Sequence, residues 1–387
     1  MAIVTLQPTG ARLRVLLMYD RSNGQKLLLG GNPLEFWRPD RWGEHAEVVE
    51  IRPGRWFATA RSIGFTPLDF WRQLSPSGSE VATAGRGDEI AIWAPGSSTP
   101  VFRIPPTQLS GGRPLRDAKV SGLEWDETGQ ILAYTVEGHI PSPATGRDRP
   151  VVQLLTTDRD GKAEFCSEIE GVGGYPEGWS PTGGWIALAI RAEPEVDRQL
   201  VVVARDGQRV VRGPAGWYLA SQPAWHPSGE RLYATLHDGA APLSRRHYAL
   251  WEVGLAQASC RLLVAPGYFL PLACSSDGGA VLVAQFGADE KQLVGFGSVE
   301  LPSGTYRLVV PRPPGIRPEA DVLRWSVAPD RRSLAVVVDS DNSTICLWRL
   351  DTLAMDIIGP RGIIGLDRYW ARGLDSIRLV DSGGSTR

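Results

Sequence analysis

The string closest to a hydrolytic nucleophile is Gly178-Trp179-Ser180-Pro181-Thr182. A G-x-S-x-G elbow needs its closing glycine to turn sharply, and an α/β sheet to present the serine. Thr182 stands in the closing place and no such α/β segment accompanies it, so Ser180 reads as a turn residue. Metal chemistry is the next to weigh. His139, His237 and His247 fall in expected connections that share one face, but no fixed spacing or repeated carboxylate marks a zinc set. "DSDNST" at 339 lacks the sixth-position glycine and final glutamate of a calcium loop. Cys166, Cys260, Cys274 and Cys346 are widely spaced with no C-x-x-C pair, which predicts buried free thiols in a reducing compartment. The expectation is no catalytic residue, no metal and no cofactor.

Recognition is better represented. Arg113, Arg116, Arg147, Arg149, Arg198, Arg245, Arg246 and Arg317 lie in the long connections 105–120, 136–150, 191–199, 237–248 and 311–322, interspersed with Glu193, Glu195, Asp197 and Asp238. Trp37, Trp42 and Trp56 neighbour Arg38, Arg41 and Arg55 within residues 32–66. Arginine and tryptophan dominate binding hot spots, and loops on a rigid scaffold usually carry function. A local mini-core and merely solvated charges are the bland readings. With 41 basic against 43 acidic residues, nothing in the total charge points to nucleic acid or an anionic membrane. Only Lys26, Lys119, Lys162 and Lys291 are lysine, a bias fitting a GC-rich, bacterial genome. The start, MAIVTLQPTGARLR, lacks a basic stretch followed by an apolar run, and no stretch of eighteen apolar residues occurs, so a cytoplasmic protein is expected.

The elements that must position these residues are repeats. "WSPTGGWIALA" at 179 recurs as "LSPSGSEVATA" at 74, "WDETGQILAYT" at 125, "WHPSGERLYAT" at 225, "CSSDGGAVLVA" at 274 and "WSVAPDRRSLAVV" at 325. The markers Gly78, Gly129, Gly183, Gly229, Gly278 and Arg331 are 51, 54, 46, 49 and 53 residues apart. Each copy ends one strand, usually on an aromatic, turns through Ser, Pro, Asp and Gly, and starts an apolar strand. Proline presets φ and glycine accepts φ above zero, so chemistry specifies the turn. Two further strand-like runs follow each copy, as in "QLVVVARDGQRVV" after the third. Four short strands at this period predict a β-propeller.

The turns resemble the WD40-like propeller repeats of the TolB and prolyl oligopeptidase type, whose signature is W-S-P-D-G before an apolar strand. Residues 179–183, WSPTG, match best, and the resemblance spans about residues 67 to 360. It implies an all-β propeller. The hydrolase domain that prolyl oligopeptidases carry has no counterpart here.

The expected architecture is a single propeller domain, 1–387, of seven blades, with six or eight as alternatives. "LDRYWARGLDSIRLVD" near the C-terminus reads as an A and B pair, and "RLRVLLMYDRSNGQKLLLGG" near the N-terminus as a C and D pair. A blade made of both would close the ring. Residues 32–66 hold a hairpin, Val48 to Ile51 with Trp56 to Ala60, either an insertion or an extra half-blade. Nine tryptophans, Trp71, Trp93, Trp125, Trp179, Trp225, Trp251, Trp325, Trp348 and Trp370, occupy recurring places and are expected as blade packing; Trp185 has no counterpart. The functional expectation is a scaffold that binds a protein partner through its loop face, at the eight arginines together with Trp37 and Trp42. The alternative is a small-molecule or carbohydrate enzyme, a hydrolase or lyase, with its site at the central channel.

Overall fold

In a computed structural model the described residues are 16–20, 45–52, 55–62, 71–75, 80–84, 90–93, 101–104, 114–141, 148–159, 161–194, 196–239, 246–287, 292–312, 319, 321–327, 333–339, 344–349 and 355–358. Among them there is no helix, and the strands form seven sheets. The first holds β1 (Leu16–Asp20), β2 (His45–Arg52) and β3 (Arg55–Ser62). Six antiparallel sheets follow, here blades I to VI. Blade I comprises β4 (Trp71–Leu74), β5 (Val81–Ala84), β6 (Ile90–Trp93) and β7 (Phe102–Ile104). Blade II comprises β8 (Arg116–Trp125), β9 (Ile131–Pro141), β10 (Asp148–Asp158) and β11 (Ala163–Glu170). Blade III comprises β12 (Val172–Trp179), β13 (Trp185–Arg191), β14 (Arg198–Ala204) and β15 (Val210–Arg212). In blade IV the first strand is broken into β16 (Trp217–Leu219) and β17 (Ala224–Trp225), both pairing β18 (Arg231–Asp238), with β19 (Tyr248–Gly254) and β20 (Ser259–Val264) outside. Blade V has β21 (Phe269–Cys274), β22 (Ala280–Phe286), β23 (Leu293–Glu300) and β24 (Tyr306–Pro311), and blade VI β25 (Asp321–Val327), β26 (Ser333–Asp339), β27 (Thr344–Arg349) and β28 (Met355–Ile358). These are the repeated four-stranded units of a β-propeller.

The marker turns explain the repetition. The residue after the first strand donates its backbone N–H to the carbonyl five residues on: Ser75 to Glu80, Asp126 to Ile131, Ser180 to Trp185, His226 to Arg231 and Ser275 to Ala280, at 2.8 to 3.0 Å. Its side chain then accepts the returning N–H at 2.9 to 3.0 Å in four of the five, through Ser75, Asp126, Ser180 and Ser275. Gly129, Gly183, Gly229 and Gly278 sit at φ of 68, 68, 71 and 72°, the left-handed region that a side chain disfavours. At Gly229 a Cβ would also overlap Thr182 Oγ1 of blade III, and at Gly278 it would overlap His226 of blade IV.

The core lies between successive sheets. Leu188, Ile190 and Val201 of blade III pack with Val152 and Leu154 of blade II, while Ala187, Leu200 and Val202 pack with Leu232, Ala234 and Leu236 of blade IV. The inner strands β13 and β14 are therefore apolar on both faces, as strands sandwiched between neighbours must be. Thr135 Oγ1 and Ser121 Oγ both donate to the Gly174 carbonyl of the next blade at 2.7 Å, and Thr235 Oγ1 donates to the Phe269 carbonyl. Trp125, Trp179 and Trp348 are buried, and Trp179 Nε1 donates to the Glu124 carbonyl of the preceding blade at 3.0 Å. Trp225, Trp251 and Trp325 are half-buried, whereas the side chains of Trp71, Trp93 and Trp370 lie outside the described residues. Trp185 finds its explanation here: it packs on the blade III–IV core under the Arg209 guanidinium, 5.2 Å from its ring centroid.

The 32–66 hairpin is present as β2 and β3, and β1 joins it in parallel register, Leu16 opposite Ala58. The C-terminal pair around Trp370 and the second run of the N-terminal pair lie outside the described residues.

Candidate functional site

First strands start, second strands end and third strands start on the same side of each blade, so their connections form one loop face. The strands carry this face further outward than the sequence suggests. Arg116, Arg149 and Arg198 belong to β8, β10 and β14 rather than to loops, and His139 and His237 lie within β9 and β18, close to their ends. The β9–β10 register continues to Pro141 opposite Asp148, so the hairpin absorbs most of the expected connection. Arg246 and His247 do lie in a connection, just before β19.

One position recurs on this face, eight residues after the turn glycine: Glu137, Arg191, His237 and Phe286. Equivalent backbones thus present four different chemistries. Glu137 is consumed by structure, accepting the Gly173 N–H of the next blade at 2.6 Å and pairing Lys119 at 2.7 Å. His237 has a buried side chain. Arg246 approaches its Nε2 at 3.3 Å and binds the Asp197 carboxylate of blade III at 2.6 Å. A guanidinium can only donate, so Nε2 accepts and the ring is neutral with its proton on Nδ1. Burial, then the Arg246 charge, holds the His237 pKa below the usual histidine value.

From the buried His237 a row of rings runs along the face, half-buried at Tyr218, Tyr248 and Tyr268 and ending on Phe286 in the core between blades V and VI. Tyr218 stacks on it with centroids 5.8 Å apart, Tyr248 lies 5.7 Å away on the other side, then Tyr268 at 4.9 Å from Tyr248 and Phe286 at 5.1 Å from Tyr268. At the polar edge Asp238 accepts the His247 backbone N–H and Nδ1–H, each at 2.8 Å, and these bonds hold its carboxyl below the usual range.

The other described arginines expected at the partner surface are placed as follows. Arg116 pairs Asp148 at 3.2 Å and Arg149 pairs Glu170 at 3.1 Å and Glu168 at 3.8 Å, all on blade II. Arg198 stacks over the Tyr175 ring at 4.4 Å, on blade III. Blade IV thus brings together His237, His247 and Arg246, with Asp197 reaching across from blade III, whereas His139 stays on blade II opposite Arg116. Arg113, Arg147, Arg245, Arg317, Trp37 and Trp42 lie outside the described residues. The aromatic row escaped the sequence reading because its members come from two blades. Its available signal was the shared position of His237 and Phe286 after their turn glycines.

Ser180 is not disposed as a nucleophile: its buried Oγ accepts the Trp185 N–H at 3.0 Å and its nearest polar side-chain neighbour is Thr182. Cys166, Cys260 and Cys274 are in no disulfide, and burial pushes the Cys166 and Cys260 thiols up, away from the reactive thiolate. Among the described residues no group of three His, Cys, Asp or Glu side chains is placed to hold a metal. No helix there is long and apolar enough to cross a membrane.

No family model and no curated protein matches the chain. Solved structures do resemble it. An oligogalacturonate lyase in complex with manganese is 15% identical, with a TM-score of 0.45 over 72% of this chain and 76% of the lyase. The β-propeller domain of Myceliophteria thermophila Cps50 (Swd1) is 12% identical, with a TM-score of 0.43 over 74% of this chain and 85% of that domain. Porphyromonas gingivalis dipeptidyl peptidase 4 is 14% identical, with a TM-score of 0.48 over 74% of this chain but only 46% of the peptidase.

Proposed function

We propose that the chain is a non-enzymatic propeller scaffold, a single domain that binds a protein partner through its loop face. The observation carrying this reading is the half-buried row Tyr218, Tyr248 and Tyr268, seated on the buried His237 and Phe286, beside Arg246. Tyrosine and arginine supply large contact area at low conformational cost, which is why they recur at hot spots. The surrounding ion pairs hold the surface in one arrangement before a partner arrives, and preorganisation lowers the cost of binding. In this reading the repeats are WD40-like, both termini build a seventh blade, and the thiols of Cys166, Cys260 and Cys274, in no disulfide, accord with a cytoplasmic location.

The test is co-purification from native cells, quantified by mass spectrometry. Alanine at Arg147, Arg149, Arg245 and Arg246 should deplete a specific protein that survives alanine at Glu127 and Glu230 on the opposite face. Unchanged profiles for the arginine variant refute the reading. Depletion of a bound carbohydrate or metabolite, with the protein profile intact, favours the small-molecule alternative.

A further inference from the structure

The loop face of blade III carries a charge arrangement that the fold itself does not require. Arg191 ends β13 and Arg198 opens β14, and the register places them directly opposite each other. Side chains so paired share one face of the sheet with Cβ atoms about 5 Å apart, where like charges destabilise. That face looks toward blade IV, since Ala187, Leu200 and Val202 beside them pack against blade IV side chains. Arg116, Arg149 and Arg246 on the same side of the molecule each meet a carboxylate. Among the described residues Arg191 and Arg198 meet none. Arg191 Nη1 reaches only the Pro194 carbonyl, at 3.4 Å, and Arg198 lies over the Tyr175 ring. The Nε–H of each is buried without an acceptor. A buried unsatisfied donor on a charged group costs more than an ordinary lost hydrogen bond.

Resting on the scaffold reading, we propose that Arg191 and Arg198 form a receptor for a carboxylate on an acidic segment of the protein partner. A carboxylate bridging the Nη groups of the two guanidinia turns repulsion into two charge-assisted contacts. Tyr175 fixes the plane of Arg198 from one side and leaves its edge for the ligand. A monoanion suits the site better than a phosphate dianion, because Asp197 adjoins Arg198 and the exposed Glu193 lies in the same turn. Both arginines are half-buried, so they remain within reach of an incoming side chain while water screens them less.

The test titrates the purified full chain with a capped hexaglutamate peptide, its glutamine analogue and inorganic phosphate at low salt, read by calorimetry and by Tm. The glutamate peptide should bind and raise Tm, and the glutamine peptide should do neither. Arg191→Gln should weaken the peptide by about tenfold or more, the loss of a charge-assisted hydrogen bond. Arg198→Glu sets a carboxylate opposite Arg191, so it should abolish peptide binding while Tm holds or rises. If Arg198→Glu lowers Tm and the wild type ignores the peptide, the pair is structural and the inference is overturned. Tighter binding of phosphate than of the peptide, or undiminished binding by Arg191→Gln, overturns it equally. The peptide arms need no native partner, so their failure leaves the co-purification result standing on its own.

Discussion

His237→Gln isolates the electrostatics of the loop face. Glutamine can still accept from Arg246 but cannot titrate. In the native protein Arg246 approaches Nε2 at 3.3 Å and the ring is buried, and together these outweigh the opposing pull of Asp238 and of Asp197, whose Oδ2 lies 3.9 Å away and binds Arg246. The His237 pKa is therefore depressed in the folded chain and ordinary, about 6.5, in the unfolded one. Above that value neither state carries the proton. As pH falls through it the unfolded chain protonates first, so stability drops until the folded pKa is reached and levels off below it. One such group contributes a slope of at most about 1.4 kcal/mol per pH unit within that window. His226, also depressed, by burial and then Arg231, adds a second contribution of the same sign. Urea unfolding across pH 7 to about 5 should show the slope reduced in His237→Gln, by up to about 1.4 kcal/mol per pH unit at its steepest. Parallel curves for variant and wild type would mean that the imidazole titrates alike in both states, and the neutral buried assignment would fail.

Three further outcomes are expected. Ser180→Ala removes the acceptor for the Trp185 N–H and should cost about 1 kcal/mol by chemical denaturation; a loss of any hydrolytic activity without loss of stability would contradict the turn assignment. Trp179→Ala should cost about 3 to 5 kcal/mol, and Trp179→Phe less, since phenylalanine keeps the ring's packing and loses the bond to the Glu124 carbonyl. Gly229→Ala should destabilise through both its φ of 71° and overlap with Thr182, so Thr182→Ala in the same chain should restore part of the loss and never all of it.

How much of this is legible in the sequence differs by feature. Turns are local, so Asp126, Ser180 and Ser275 could be placed from their neighbours alone, and the structure shows their side chains accepting the returning N–H. Trp185 could not be placed, because its partner Arg209 comes from the next hairpin and its core from the next blade. Arg198 stands out among the connection charges but Arg191 does not, although both are equidistant from the centre of one hairpin and a register drawn through that turn would have paired them. The sequence also assigns Arg116 and Arg149 to loops because charge suggests solvent. Solvated strand ends are equally charged, and the ladders that β9 makes with β8 and β10 extend through them.

The turn glycines have a second consequence. At two successive contacts the glycine of one blade is the seat into which Thr182 or His226 of the preceding blade fits. The residue demanded by the turn's own backbone is thus also the one that makes room for the neighbour. A duplicated blade would arrive carrying its own seat, so the ring can lengthen by copying a repeat without first evolving a new interface, and later change at the incoming residue alone.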